Sequence, residues 1–311
     1  MTGIPLHTAY SARHASTGNT GVSMTRSAAL DRTQSIFEYE KWHAILPELA
    51  ETYQENRPFP HIRLADFLDF ETAAAIAKEF PSTQTWRWTQ YKHANENKLG
   101  LPQRALFPPG LGEVTDELNS PEFVAWLSEL TGIPNLIADP DLEGGGLHQS
   151  QRGGFLNVHT DFSMHHYHKN WQRRVNLILY LNPDWQEEWG GAIEFWDLKN
   201  GRCGARYAPA LNHCVIFTTD NRSFHGFPDR LQCPEGVSRK SVALYYYTLA
   251  EGADVVAHST DYRPRPGDGW KKSALIWLDK QAVNLYSRAK ARFGFSDEFA
   301  SRLLRVISKK S

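Results

Sequence analysis

The sequence predicts an α+β chain in which a β sandwich or barrel over residues 144–250 is flanked by helices on both sides. Three observations carry this reading. From Gly144 onward, short β-rich runs alternate with turn clusters, as expected of an antiparallel sandwich or barrel. Before Gly144, and again after Pro266, apolar residues recur at helical spacing. The 311 residues also suit one large β domain with additions, because barrels of this size are often single domains. Four parts result: a leader over 1–34, a helical part over 35–143 that packs on the core, the β core over 144–250, and a loop with amphipathic basic helices over 251–311.

Residues 1–34 are rich in Ser, Thr, Gly and Ala and read as a disordered leader, with Met24 as an alternative start. From Ser35 to Gln54, Ile36, Phe37, Trp42, Ile45, Leu46 and Leu49 fall at helical spacing, and Pro58 and Pro60 end the run. His61–Leu64 reads as a short strand. Phe70–Phe80 reads as a helix with Ala74, Ala75, Ile76 and Phe80 inward. Pro121–Leu130 is the next helix, with Pro in its first turn and Thr131-Gly132 past its end. Core strands are expected at Gly154–Val158, Val175–Leu181, Ala192–Trp196, Cys214–Thr218 and Val242–Thr248. The turns between them are Asn182-Pro183-Asp184, Gly190-Gly191, Lys199-Asn200-Gly201 and Asp220-Asn221. Gln281–Phe293 and Ser296–Ile307 read as two amphipathic helices that pack on the outside of the core. Gly294 separates them, and Asp297 and Glu298 supply the acidic first turn that a helix dipole favours.

Composition excludes several classes. Hydrophobic residues make up 41% and charged residues 22%, as in an ordinary globular protein, and aromatics at 12% can fill a large core. No apolar run approaches the ~18 residues of a membrane span, and the first residues lack the apolar core of a signal peptide. Cys203, Cys214 and Cys233 form no Cys-x-x-Cys pair, which argues against a disulfide framework or zinc knuckle and favours a reducing, cytoplasmic setting. The net charge of −1 hides a basic tail: from Tyr262 on there are twelve Lys/Arg against four Asp/Glu. Those charges alternate with core-type residues, so a solvated helix face is favoured over a docking face for an acidic carrier protein or a nucleic acid.

The chemistry is concentrated in Asn157-Val158-His159-Thr160-Asp161-Phe162. On a strand, positions i and i+2 share a face, so His159 and Asp161 can aim one nitrogen and one oxygen at the same point. A second histidine from a distant strand would complete two His and one carboxylate, a set that binds a divalent metal on one face and leaves the other open. Three candidates follow. His213 directly precedes a strand and can simply cap it, and His258 lies past the last core strand. His225 sits beside Gly226, which permits close backbone approach, and is favoured. Arg239 follows His225 by fourteen positions and opens the last strand, with Ser241 on the same face. A guanidinium fork and a nearby hydroxyl suit a carboxylate; Lys240 points to the other face.

This ordered set resembles the Fe(II)/2-oxoglutarate oxygenase superfamily, in its prolyl 4-hydroxylase-like branch. The resemblance spans about residues 145–250 and includes His159/Asp161, the run Tyr180–Trp185, Gly190-Gly191, His225 and Arg239-x-Ser241. It implies a double-stranded β-helix (jelly roll) with Fe(II) at His159, Asp161 and His225 inside one mouth. It implies 2-oxoglutarate on Arg239 and Ser241, with Tyr180, Gln149 and Arg173 where this branch supports the metal or cosubstrate, and ascorbate as an auxiliary reductant. The longer gap before Arg239 requires a loop through Leu231–Val237. The reaction implied is hydroxylation or another oxidation of a C–H bond, with O2 consumed and succinate and CO2 released. Asp161 favours this over halogenation, where a small residue replaces the carboxylate.

His165, His166 and His168 follow the metal strand and read as substrate contacts at the mouth. A second metal there is disfavoured, because no carboxylate accompanies them at ligand spacing. The rival readings are a cupin-like metal-binding protein or isomerase without oxidation, and a zinc hydrolase, which lacks its His-Glu-x-x-His helix here. The substrate expected is a small metabolite, an amino acid or a carrier-tethered group, with a prolyl residue of a protein as the alternative. No membrane or nucleic-acid partner is expected.

Overall fold

The computed structural model describes residues 35–84, 88–250 and 257–293, with side chains to Gln281. The expected leader 1–34 and the expected helix Ser296–Ile307 lie outside these residues, as do the side chains of the helix from Val283 onward. Among the described residues no helix is long and apolar enough to cross a membrane.

The N-terminal run forms α1 (Tyr39–Ala44) and α2 (Leu46–Glu55), two helices where one was expected, with the break at Ile45. Next come β1 (His61–Leu64) and α3 (Phe70–Glu79), whose Asp69 cap accepts the Thr72 N–H at 2.9 Å. A hairpin of β2 (Thr89–His93) and β3 (Glu96–Leu101) follows. Two helices then lie in succession, α4 (Pro109–Leu118) and α5 (Pro121–Thr131). Ser120 caps α5, and Gly132 ends it in the left-handed conformation at φ 67°.

The strands after this are β4 (Ile137–Ala138), β5 (Gly146–Gln151), β6 (Phe155–Thr160), β7 (Trp171–Tyr180), β8 (Ile193–Asp197) and β9 (Arg202–Tyr207). They continue with β10 (His213–Thr218), β11 (Phe224–Phe227), β12 (Ser238–Leu249) and β13 (Asp261–Tyr262), and α6 (Trp270–Phe293) follows. α6 starts eleven residues before the helix expected from Gln281.

The strands follow the order β1-β10-β7-β12-β5-β3-β6-β11-β8-β9. The layers β10-β7-β12-β5 and β6-β11-β8-β9 are the two sheets of a double-stranded β-helix, and β3 joins them by pairing with β5 on one side and β6 on the other. Side-chain alternation then divides the chemistry. Val175, Leu177 and Leu179 of β7, Cys214 and Ile216 of β10, and Val242, Leu244 and Tyr246 of β12 face one large core. The helices cover that face, with Phe37, Phe67 and Trp126 packed ring to ring at 4.9–5.3 Å. The alternate positions Asn176 and Ile178 of β7 and Ser241, Ala243 and Tyr245 of β12 line the interior of the roll. The three cysteines are free thiols.

α6 is fastened to the β2–β3 hairpin. Asp279 accepts from Asn95 and pairs with His93 Nδ1 at 2.7 Å, while His93 Nε2 meets Glu96 at 2.8 Å. Burial opposes charge on His93, but Asp279 and then Glu96 outweigh it and raise the imidazole to about 9. A raised histidine contributes stability that is complete below its unfolded pKa and is lost as pH rises through the folded value. The melting temperature should therefore fall between pH 6.5 and about 9, by the equivalent of at most ~3 kcal/mol. His93→Gln should flatten that slope; an unchanged slope in the variant would assign it to another group.

Candidate metal and cosubstrate site

His159 ends the inward row of β6, and Asp161 lies two residues on. β11 pairs with β6 so that His225 sits opposite His159, with ring centroids 4.5 Å apart. A Cβ at Gly226 would stand 2.7 Å from Leu156 O, so glycine lets β11 approach β6 this closely. His159 Nδ1 donates to Asn157 O and His225 Nδ1 to Ser223 O, each at 2.9 Å. A carbonyl can only accept, so both rings donate through Nδ1 and leave Nε2 facing inward as the ligating atom. Those Nε2 atoms lie 3.6 and 3.5 Å from the Asp161 carboxylate, and one ligand atom of each residue lies within 4.8 Å of the others. Two imidazoles and one carboxylate on one face are the donor set of a non-heme Fe(II) site, and the residues fit that ion.

The carboxylate is held in place. Asn176 donates to Asp161 Oδ2 at 2.8 Å, and the Arg173 guanidinium is ion-paired with the same oxygen at 3.1 Å without the alignment of a hydrogen bond. Arg173 is itself fixed by Asn176 and by the Tyr245 ring, 3.4 Å from its guanidinium carbon. Burial alone would raise the Asp161 pKa; Arg173, then His225 and His159, hold it well below the usual carboxylate range. Burial, with His159 beside it, lowers His225 to about 4, so it is neutral and ready to ligate at ordinary pH.

On the same interior surface, Arg239 Nε donates to Gly191 O at 2.7 Å and its NH2 nitrogen to the Tyr180 hydroxyl at 3.0 Å. Its guanidinium also lies over the Phe227 ring, 4.2 Å from the centroid. Among the described residues no carboxylate lies within ion-pair distance of it, and burial lowers its pKa. A buried cation without a counterion is unfavourable alone and calls for an anionic ligand. Gly191 has φ 78°, and a Cβ there would come 2.6 Å from Leu231 and 3.1 Å from Arg239, so Gly191 makes room for this arginine. The loop after β11 buries Leu231 and Cys233 against Phe227.

Ser241 lines the same pocket, as does Gln149, which donates to Ser238 at 2.8 Å and keeps its buried Oε1 without a partner. The geometry separates the supporting residues: Arg173 serves the metal end, and Tyr180 positions Arg239. Lys240 turns away toward the Phe80 ring. His213 lies on β10 and His258 in the segment before β13; neither joins the cluster.

Sequence reasoning missed Asn176 and Tyr262. Asn176 shares the inward parity of Ile178 and Tyr180, a signal available on β7. Tyr262 packs on His159 at 5.4 Å because β13 pairs with β6 opposite that residue, a contact no spacing rule announces. One expectation fails. His165, His166 and His168 do have carboxylate partners, but they come from the β4–β5 loop: Asp139 and Glu143 meet His165, Glu143 meets His166, and Asp141 meets His168. Ligand spacing along the chain could not show them.

Residues 145–247 match the model of the 2OG-Fe(II) oxygenase superfamily. The chain is 30% identical over 130 residues to prolyl 3-hydroxylase OGFOD1 of Mus musculus, a stretch covering 40% of this chain and 22% of that relative's length. It is similar to the structure of a prolyl hydroxylase from Trichoplax adhaerens in complex with a hypoxia inducible factor peptide fragment, with a TM-score of 0.50 and 14% identity over 69% of this chain and 94% of that one. A Pseudomonas putida prolyl-4-hydroxylase gives a TM-score of 0.45 and 17% identity over 67% of this chain and all of that one. The jelly roll, the iron-type donor set and the family model coincide on the same residues: residues 145–247 match the 2OG-Fe(II) oxygenase superfamily, and the chain has a prolyl 4-hydroxylase-like fold.

Proposed function

We propose that this protein is an Fe(II)- and 2-oxoglutarate-dependent dioxygenase that hydroxylates an unactivated C–H bond. The observation that carries the reading is one pocket holding both a face of two histidines and an aspartate and a buried arginine without a counterion among the described residues. Bound iron and 2-oxoglutarate supply the activation of O2, with the balance 2-oxoglutarate + O2 + R–H → succinate + CO2 + R–OH. His159, Asp161 and His225 hold the metal from one side and leave the other open. Arg173 and Asn176 keep Asp161 ionised and oriented. Arg239, with Ser241 beside it, binds the far carboxylate of 2-oxoglutarate, and Gly191 and Tyr180 fix its fork. The apolar lining, Ile178, Ile193 and Phe227, limits water around the reacting atoms.

For the substrate, the prolyl 3-hydroxylase relative favours a prolyl residue presented in a polypeptide. A small metabolite, a free amino acid or a group on an acidic carrier protein is the second reading, supported by the basic composition after Tyr262. Succinate release measured with proline-containing peptides and with a metabolite library separates the two. Anaerobic addition of 2-oxoglutarate to the Fe(II) protein should give a weak visible charge-transfer band, and O2 should then yield succinate slowly without substrate. A cupin-like binder would give neither signal, and that result would overturn the oxygenase reading.

A further inference from the structure

A second group of metal-type ligands lies where the β4–β5 loop meets the β6–β7 loop. One ligand atom each from Asp141, His165 and His168 lies within 4.8 Å of the others. His165 is buried between the loops; Asp141 and His168 are open to solvent. The His165 ring is fixed by its surroundings. Its Nδ1 accepts the backbone N–H groups of Tyr167 and His168, each at 3.1 Å, so Nε2 carries the proton and faces Asp139 Oδ1 at 3.2 Å. Asp139 is in turn fixed by the backbone N–H groups of Asp141 and Glu143. His168 Nε2 stands 3.1 Å from Asp141 Oδ2, its ring stacked on Trp171 at 4.1 Å.

The 3.1 Å between His168 Nε2 and Asp141 Oδ2 is close to the edge of a tetrahedron whose donors lie ~2.0–2.1 Å from the ion, an edge of about 3.3 Å. His166 and Glu143, at 2.5 Å, form a tight pair beside the group. Three carboxylates against three imidazoles also give the cluster an excess of negative charge whenever the histidines are neutral.

We propose that Asp141, His165 and His168 bind a second divalent ion of the Zn2+ class, with water as the fourth donor. On binding, His165 Nε2 loses its proton to solvent and gives its lone pair to the metal. The ion is structural: it pins the loop that leaves Asp161 and Phe162 to the loop between β4 and β5, at the edge of the mouth. This site does not depend on the oxygenase reading, since its ligands are separate from the triad.

Zinc uptake by the metal-stripped full chain tests the proposal, with bound metal measured after desalting. Wild type should retain about two equivalents of Zn2+, and His168→Gln and Asp141→Asn about one each. Both changed side chains are solvent-exposed, so the fold is kept, as circular dichroism will verify. His225→Gln should also retain about one equivalent, and His168→Gln/His225→Gln about none. With Co2+ as the probe, the His225→Gln protein should show the strong visible bands of a tetrahedral ion, and the double variant none. Wild-type uptake of about one equivalent, or unchanged uptake in both His168→Gln and Asp141→Asn, would overturn the proposal. Unchanged uptake in His225→Gln would instead count against the triad.

Discussion

His159→Ala, Asp161→Ala and His225→Ala each should abolish tight iron binding and succinate formation in the full chain. Removing an outer-shell partner of a metal ligand typically costs ~10–100-fold, so loss of a ligand should exceed about a hundredfold. Arg173→Met supplies the graded comparison. Asp161 would keep its Asn176 hydrogen bond but lose its adjacent cation. Iron affinity should then drop within the outer-shell range, ~10–100-fold, and the carboxylate pKa should rise. Iron content measured beside turnover distinguishes loss of metal from loss of chemistry. Full iron content and activity in the His225→Ala protein would exclude it as the distal ligand and return His213 and His258 to consideration.

The triad was legible in the sequence because its signal is order and spacing. His159 and Asp161 share a strand face, and Gly226 beside His225 marks the close approach that the register of β11 on β6 then requires. β7, β10 and β12 were legible for a different reason. Helices cover one face of these strands and the roll's interior is the other, so they read as nearly continuous apolar runs. The β2–β3 hairpin was not legible. β2 is polar and largely exposed, β3 (Glu96–Leu101) has few apolar residues, and β3 is held as a strand by pairing with β5 and β6, far along the chain. α4 was hidden by Gly110 and Gly112, which lower helix propensity. Gly112 instead leaves room for the Arg104 guanidinium, and Gly110 offers its N–H to Glu79. The partners of His165 and His168 were invisible because proximity of two loops is a property of the fold.

Arg239→Ala should raise the 2-oxoglutarate concentration needed for half-maximal turnover by roughly tenfold to a hundredfold while leaving iron bound. The range follows from the ~1.5–3 kcal/mol typical of a hydrogen bond to a charged group. The environment places the effect toward its upper end. Tyr180 and Gly191 orient the guanidinium before any ligand arrives, so little ordering cost offsets the contact. The cation is buried and has no carboxylate beside it among the described residues, so the cosubstrate meets it in a region that screens poorly. Arg239→Lys tests the fork itself: an ammonium keeps the charge but cannot engage Gly191 O, the Tyr180 hydroxyl and a carboxylate together. Its requirement should fall between wild type and Arg239→Ala. Tyr180→Phe removes one positioning contact and should shift the requirement less than either. The readout is the apparent affinity for 2-oxoglutarate with iron content measured in parallel. A change below about twofold in Arg239→Ala, with iron unaltered, would mean that the cosubstrate carboxylate lies elsewhere, with Lys98, which lines the same pocket, as the next residue to test.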